Sequence, residues 1–429
     1  MCIIVLERET FMKYETCENE TYNLYTIETD KFKSVHVEVV FKTKASKENI
    51  TYLSMLADML MENSNDYPSR KLLERKRCDL YSASVYATNT RVGNIIITNF
   101  VLDFVDPKYT SKDMYEESIK LLFQMINNPN AKEGEFDEDT FLKVKRRIKA
   151  DIEALKEDPK QSSILKAFEH LDSNDIRSMS ASGDISVLES ITPRKLYKFY
   201  LDFLENSARD VYVIGAVEAK MIDKLVRKYA NFKSIPTERF DVFLKPYKVG
   251  SAKNSVEKGA ITQTQLVLLY TLKELTDDEE NYVLPLYNMI WGSGSLESKL
   301  YKSLRGENSL CYNVSTFYQK YDNVVILHTA IDEANYRLAI KLINTATTAM
   351  AKGLFSEEEL ENAKNIMITS LNMVLDSPNR LIDNLVFKNL VGLPDLEDRI
   401  DAIKNVGKKD IVEVAKKIKN ISTFRVKGE

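Results

Sequence analysis

Histidine is nearly missing from this chain. Its 429 residues hold three, at positions 36, 170 and 328, so no two can pair at the short helical spacing of a histidine metal motif. The four cysteines, at 2, 17, 78 and 311, form no C-x-x-C, which excludes a cysteine zinc knuckle and a dense disulfide frame. Only 13 Gly and 10 Pro are present, too few for a fibrous or low-complexity chain. Positive charge is not in excess. The net charge of −4 argues against a general nucleic-acid binder, whose footprint is basic. Long apolar runs are absent too. The longest, Ile95 to Val105, is broken by Thr98, Asn99 and Asp103 and cannot span a bilayer. The opening Met1 to Leu6 runs into Glu7-Arg8-Glu9 and is too short for a secretory core. The reading is a soluble, cytoplasmic protein with no membrane or nucleic-acid partner. A hydrophobic share of 44% is ample for the cores of two domains, at most three.

The chain does contain a repeat of itself. Shifted by about 231 residues, Val35 to Phe41 falls against Leu266 to Leu272, Cys78 to Ser84 against Ser309 to Ser315, and Asn94 to Thr98 against Val325 to Thr329. With small gaps, Phe136 to Asp139 answers Phe355 to Glu358, Glu157-Asp158-Pro159 answers Asp376-Ser377-Pro378, and Val211 to Gly215 answers Phe424 to Gly428.

Within each half, strand and helix periods alternate. Val35, Val37, Val39 and Phe41 share one strand face, which leaves His36 facing out. Residues 48–62 read as a helix with Ser46 as N-cap and Ile50, Leu53, Ala57, Leu60 and Met61 as its apolar stripe. Residues 137–156 read as a long helix ended by Asp158-Pro159. Its run Lys143 to Lys149 reads as a solvated basic face. The fold class is α+β: two homologous halves, each a mostly antiparallel sheet with helices packed on one face. The expected division is 1–232, a linker over 233–262 rich in turn residues, and 263–429.

These residues resemble the M16 (insulinase-like, pitrilysin-like) peptidases over essentially the whole chain. Asn288 to Leu300, with Gly292-Ser293-Gly294, resembles the family's Gly-rich turn. Leu304 to Ser315 resembles its R-x₆-Y segment, with Arg305 and Tyr312 in place. Active members carry H-x-x-E-H on the first long helix: two His reach one zinc, the Glu is general base on its water, and a later carboxylate completes the site. Here Ser54 and Asp58 fall at the two His and Ala57 at the Glu, with Asp151 near the later carboxylate. The resemblance therefore implies a degenerate motif and no metal in this chain. It also implies that Arg305 holds a peptide carbonyl or carboxylate and that Tyr312 donates to the oxyanion. The first half has Glu74 and Tyr81 at those places.

Some bacterial members divide the labour between a zinc-bearing chain and a chain with Arg and Tyr, which close as a clamshell. The expectation is the second kind: a non-catalytic subunit that binds peptide through Arg305, Tyr312, Gly292, Ser293 and Gly294. Its partner would be a zinc-bearing M16 homologue or a second copy. A structural reading stands beside it, in which Arg305 lies on the surface, Tyr312 packs on the sheet and Gly292-Ser293-Gly294 ends a helix. The rival functions are a non-proteolytic scaffold, of a kind associated with elongation factor P modification or peptide maturation, and an autonomous peptidase with a relocated metal site. No G-x-S-x-G or Cys/His signature supports a serine or cysteine nucleophile.

Overall fold

A computed structural model describes residues 2–6, 13–111, 113–233, 240–293 and 296–428. The chain forms two compact units, each drawing on both halves of the sequence. Unit one is 1–153, 180–240 and 375–390; unit two is 154–179, 241–374 and 391–429. The halves thus exchange equivalent segments: the helix Pro159–Leu171 belongs to unit two, and nearly all of the helix Pro378–Val391 belongs to unit one.

Unit one is built on a seven-stranded sheet in the order Cys2–Leu6, Lys13–Glu18, Asn23–Glu28, Ala208–Gly215, Ser34–Lys44, Ile95–Val105, Ser84–Val92. Only the pair Asn23–Glu28 with Ala208–Gly215 is parallel. One face carries Val35, Val37, Val39 and Phe41, all fully buried. There the rings of Phe41 and Phe203, from the helix Pro193–Asn206, lie 4.6 Å apart, with Phe100 and Phe232 packed edge-on against Phe41. Each such buried side chain contributes roughly 1.5–3 kcal/mol. The helix Lys47–Glu62 begins where expected, with the Ser46 hydroxyl accepting from the Asn49 amide.

Unit two repeats the plan with five strands: Lys253–Lys258, Ile418–Lys427, Thr264–Leu272, Val324–Ile331, Cys311–Gln319. Its one parallel pair, Lys253–Lys258 with Ile418–Lys427, mirrors that of unit one. This corrects the expected linker over 233–262. Residues 253–258 are an edge strand whose residues are exposed or half-buried, so no apolar alternation announces it.

The opposite face of each sheet carries the exchanged helix, so helices cover both faces. In unit two, Ile164, Ala167, Phe168 and Leu171 pack on Val267, Leu269, Val324, Ile326 and Phe424. In unit one the covered face is mixed: His36, Glu38 and Asp103 share it with buried Val40, Val101 and Ile214. His36, expected to face out, is fully buried there. Strand alternation did separate it from the Val35–Phe41 face, but that second face lies under a helix rather than in water.

Candidate functional site

The segment Lys302–Gly306 is helical, and Ser309 then adopts a left-handed backbone (φ 52°) that reverses the chain into the edge strand Cys311–Gln319. That reversal brings Arg305 and Tyr312 together. The guanidinium carbon lies 4.7 Å from the centre of the Tyr312 ring, and Nη1 donates to the Cys311 carbonyl at 3.2 Å. Tyr312 is 79% exposed, against an expectation of packing had its role been structural. A half-buried guanidinium fixed by one hydrogen bond and one ring keeps donors for a carbonyl or carboxylate. The unit-one counterparts differ: Glu74, at the place of Arg305, accepts from Arg77 at 2.7 Å, and Tyr81 is exposed.

Gly292 is buried at the end of the helical run 279–293. A Cβ there would stand 2.4 Å from Thr316 Cγ2 and 3.0 Å from Leu300 Cδ1, so the absence of a side chain lets the helix meet the edge strand. The side chain of Ser293 and all of Gly294 lie outside the described residues. Nearby, Met289, Ile290, Ser298, Ala363 and Ile366 line a cleft of 320 Å³ that includes neither Arg305 nor Tyr312.

The positions 54, 57 and 58, expected to carry a degenerate zinc motif, lie on the helix Lys47–Glu62. Ala57 is 2% exposed and packs into the core. Asp58 takes two contacts from Arg147, Nη2 at 2.8 Å and Nε at 3.0 Å. One turn on, buried Glu62 accepts from Arg147 Nη1 at 3.2 Å, from Arg70 at 3.3 Å and from Lys143. Burial would raise the Glu62 carboxyl, but Lys143 and Arg147 hold it below its ordinary range. Burial likewise opposes the Arg147 charge, and Asp58 with Glu62 overcomes it. A guanidinium thus bridges the carboxylates on this helix face. Ser54 is half-buried, and Asp151, one turn beyond Arg147, is exposed. Among the described residues, no group of three or more His, Cys, Asp or Glu could hold a metal ion.

Sequence reasoning missed Glu62, Arg70, Lys143 and Arg147 as one network, placing 143–149 on a solvated face. The available signal was the matched i, i+4 spacing of Asp58/Glu62 and Lys143/Arg147. The other two histidines are structural: His328 Nε2 meets Gln265 at 2.9 Å, and His170 meets Glu257 at 2.8 Å. No described helix is long and apolar enough to cross a membrane.

Residues 190–367 match the family described as peptidase M16 inactive domain. A Bacillus subtilis (strain 168) protein named probable inactive metalloprotease YmfF is 25% identical over 415 residues, covering 94% of this chain and 95% of that protein. A conserved protein from Enterococcus faecalis V583 shares the fold at TM-score 0.92 and 24% identity, covering 97% of this chain and 99% of that one. A peptidase M16 inactive domain from Pseudomonas fluorescens does so at TM-score 0.78 and 16% identity, with 97% and 98% covered.

Proposed function

From a chain that carries a peptidase M16 inactive domain on an M16 fold, we propose a non-catalytic subunit that binds peptide for a zinc-bearing M16 partner. The observation that carries this reading is the Arg305–Tyr312 pair, stacked and open to solvent at a sheet edge. Arg305 offers donors to a peptide carbonyl or carboxylate, and the Tyr312 hydroxyl offers one more. The motif helix supplies the complementary support. Where M16 enzymes hold a cation between side chains, this chain has Arg147 on Asp58 and Glu62, and Ala57 supplies no general base. The zinc would belong to the partner, in a cytoplasmic heterodimer; pairing with a second copy is the other arrangement.

The test is reconstitution with the co-purifying zinc-bearing chain. Arg305→Ala is expected to lower peptide turnover at least tenfold and Tyr312→Phe less, with both variants folded; unchanged turnover removes the role. Metal analysis of the purified chain alone should give well under one zinc per molecule. A scaffold role is the second reading. The hydrogen bond from Arg305 to the Cys311 carbonyl favours it, since that contact also braces the turn. Under it, pull-down from the native host captures an assembly with no zinc-bearing M16 chain.

A further inference from the structure

One opening in unit two is left unused by the Arg305–Tyr312 pair. Met289 and Ile290, on the helical run 279–293, line the cleft of 320 Å³ together with Ala363 and Ile366, on the helix Glu357–Asn372. That volume is at the small end of the range for ligand pockets. Ile290 and Ala363 are each 4% exposed, which makes the interior apolar, and Ile366 is partly exposed.

The repeat shows what stands at the equivalent place in unit one. The shift of 231 sets Asp58 against Met289 and Met59 against Ile290. The shift that sets Phe136 against Phe355 sets Val144 against Ala363 and Arg147 against Ile366. Unit one closes this place with charge, Arg147 Nη2 lying 2.8 Å from Asp58. In unit two both members of that ion pair are apolar, and an opening remains.

The charged groups around the opening are already neutralised. Glu359 meets Lys299 at 2.9 Å and accepts from the Ser356 amide at 2.7 Å, and Glu297 meets Lys302 at 2.5 Å. No net charge is left for an ionic ligand. The remaining polar groups are neutral. Ser298 is 2% exposed and opens the helix Lys299–Tyr301 without a capping bond, and its hydroxyl has no hydrogen-bond partner among the described residues. A buried hydroxyl in that state is costly, and a ligand that brings a partner removes the cost. Asn362 and Asn365, both exposed, add side-chain amides that donate and accept. An apolar interior edged by neutral donors and acceptors fits an apolar side chain flanked by peptide groups.

We propose that this cleft holds one apolar residue of a bound peptide, with Ser298 and the two asparagine amides meeting the peptide groups beside it. The assignment rests on the peptide-binding reading for the source of that residue. It adds a side-chain preference, which Arg305 and Tyr312 do not supply because their donors meet carbonyl or carboxylate oxygens. Helical rise from 298 to 305 is about 10 Å, which an extended peptide spans in about three residues. The selected residue therefore stands about three positions from the carbonyl held at Arg305.

The full chain, isotope-labelled at its methionine methyl groups, tests this by NMR with N-acetyl-L-leucinamide, a neutral apolar residue carrying both peptide groups. The Met289 methyl signal, identified by its loss in Met289→Leu, should shift and saturate with a Kd of about 1–10 mM, as suits a probe of this size. N-acetylglycinamide, with no side chain, and N-acetyl-L-lysinamide, with a charged one, should each bind at least about tenfold more weakly. Ser298→Ala should weaken the leucine probe about fivefold. Ile366→Arg, at a partly exposed position, should fill the cleft and abolish the shift. Absence of a saturable Met289 shift, equal or tighter binding of the glycine or lysine probe, or undiminished binding in both variants would each overturn the assignment. The readout uses neither turnover nor a partner chain, so its failure leaves the Arg305 reading to its own test.

Discussion

The two exchanged helices sit at equivalent places in the repeat, both bury aliphatic side chains, and they meet sheet faces of different polarity. The repeat aligns His36 and Glu38 with Val267 and Leu269, and Asp383 with Ile164. Where unit one sets a histidine and two carboxyls under its helix, unit two sets three aliphatic side chains. Apolar contact brings the helix Pro159–Leu171 close onto its strands. A duplicated fold can thus preserve topology while changing what a contact responds to. A dry contact depends on area and temperature; an ionic one depends on pH and salt.

Equivalent truncations give the largest expected contrast. Phe168 is 2% exposed in the apolar contact, so Phe168→Ala should cost about 3–5 kcal/mol. Its counterpart Phe387 is only half-buried, and Phe387→Ala should cost under about 2 kcal/mol. Urea unfolding checks both; equal costs would break the comparison. Trp291, the sole tryptophan, lies buried in unit two and reports on that unit by fluorescence.

The buried histidines should give the two units opposite pH responses. Burial drives His328 down to about 4, so the unfolded chain takes up the proton first. Its contribution is complete above about pH 6.5 and is lost as pH falls toward 4. His36 is raised to about 9, so its contribution is complete below about pH 6.5 and is lost as pH rises through 9. Each is worth about 3 kcal/mol. Trp291 fluorescence in urea should move to lower midpoints in acid, while exchange of the strand Ser34–Lys44 should quicken in alkali. Shifts of the same sign would show that the two charge states were misassigned.

The smallest effect concerns Gly292. Its missing Cβ makes room for Thr316, so Gly292→Ala should destabilise unit two by about 1–3 kcal/mol. A variant of full stability with weakened peptide binding would instead return Gly292 to the substrate site.

Some of this was legible before any coordinates. The strand period at Val35–Phe41, the cap at Ser46, the stop at Asp158-Pro159 and the order of elements in both halves are local signals, and they placed the α+β units. That no His or Glu stands at 54, 57 or 58 and that Arg305 and Tyr312 are seven residues apart was also visible, because a motif on one helix or one turn is a matter of spacing. Unit composition was not legible. The edge strand Lys253–Lys258 is polar, and its paired residues lie 169 positions away in sequence.

The amino-acid order by itself determined the repeat, the elements and which residues stand at 54, 57 and 58, since periodicity and spacing act over a few residues. Only tertiary structure decided that His36 is covered, that Arg147 bridges Asp58 and Glu62 from 89 and 85 residues away, and that each half lends the other a helix. Burial and charge pairing arise from what the chain brings across space, and strand alternation says which residues share a face without saying what will lie on it.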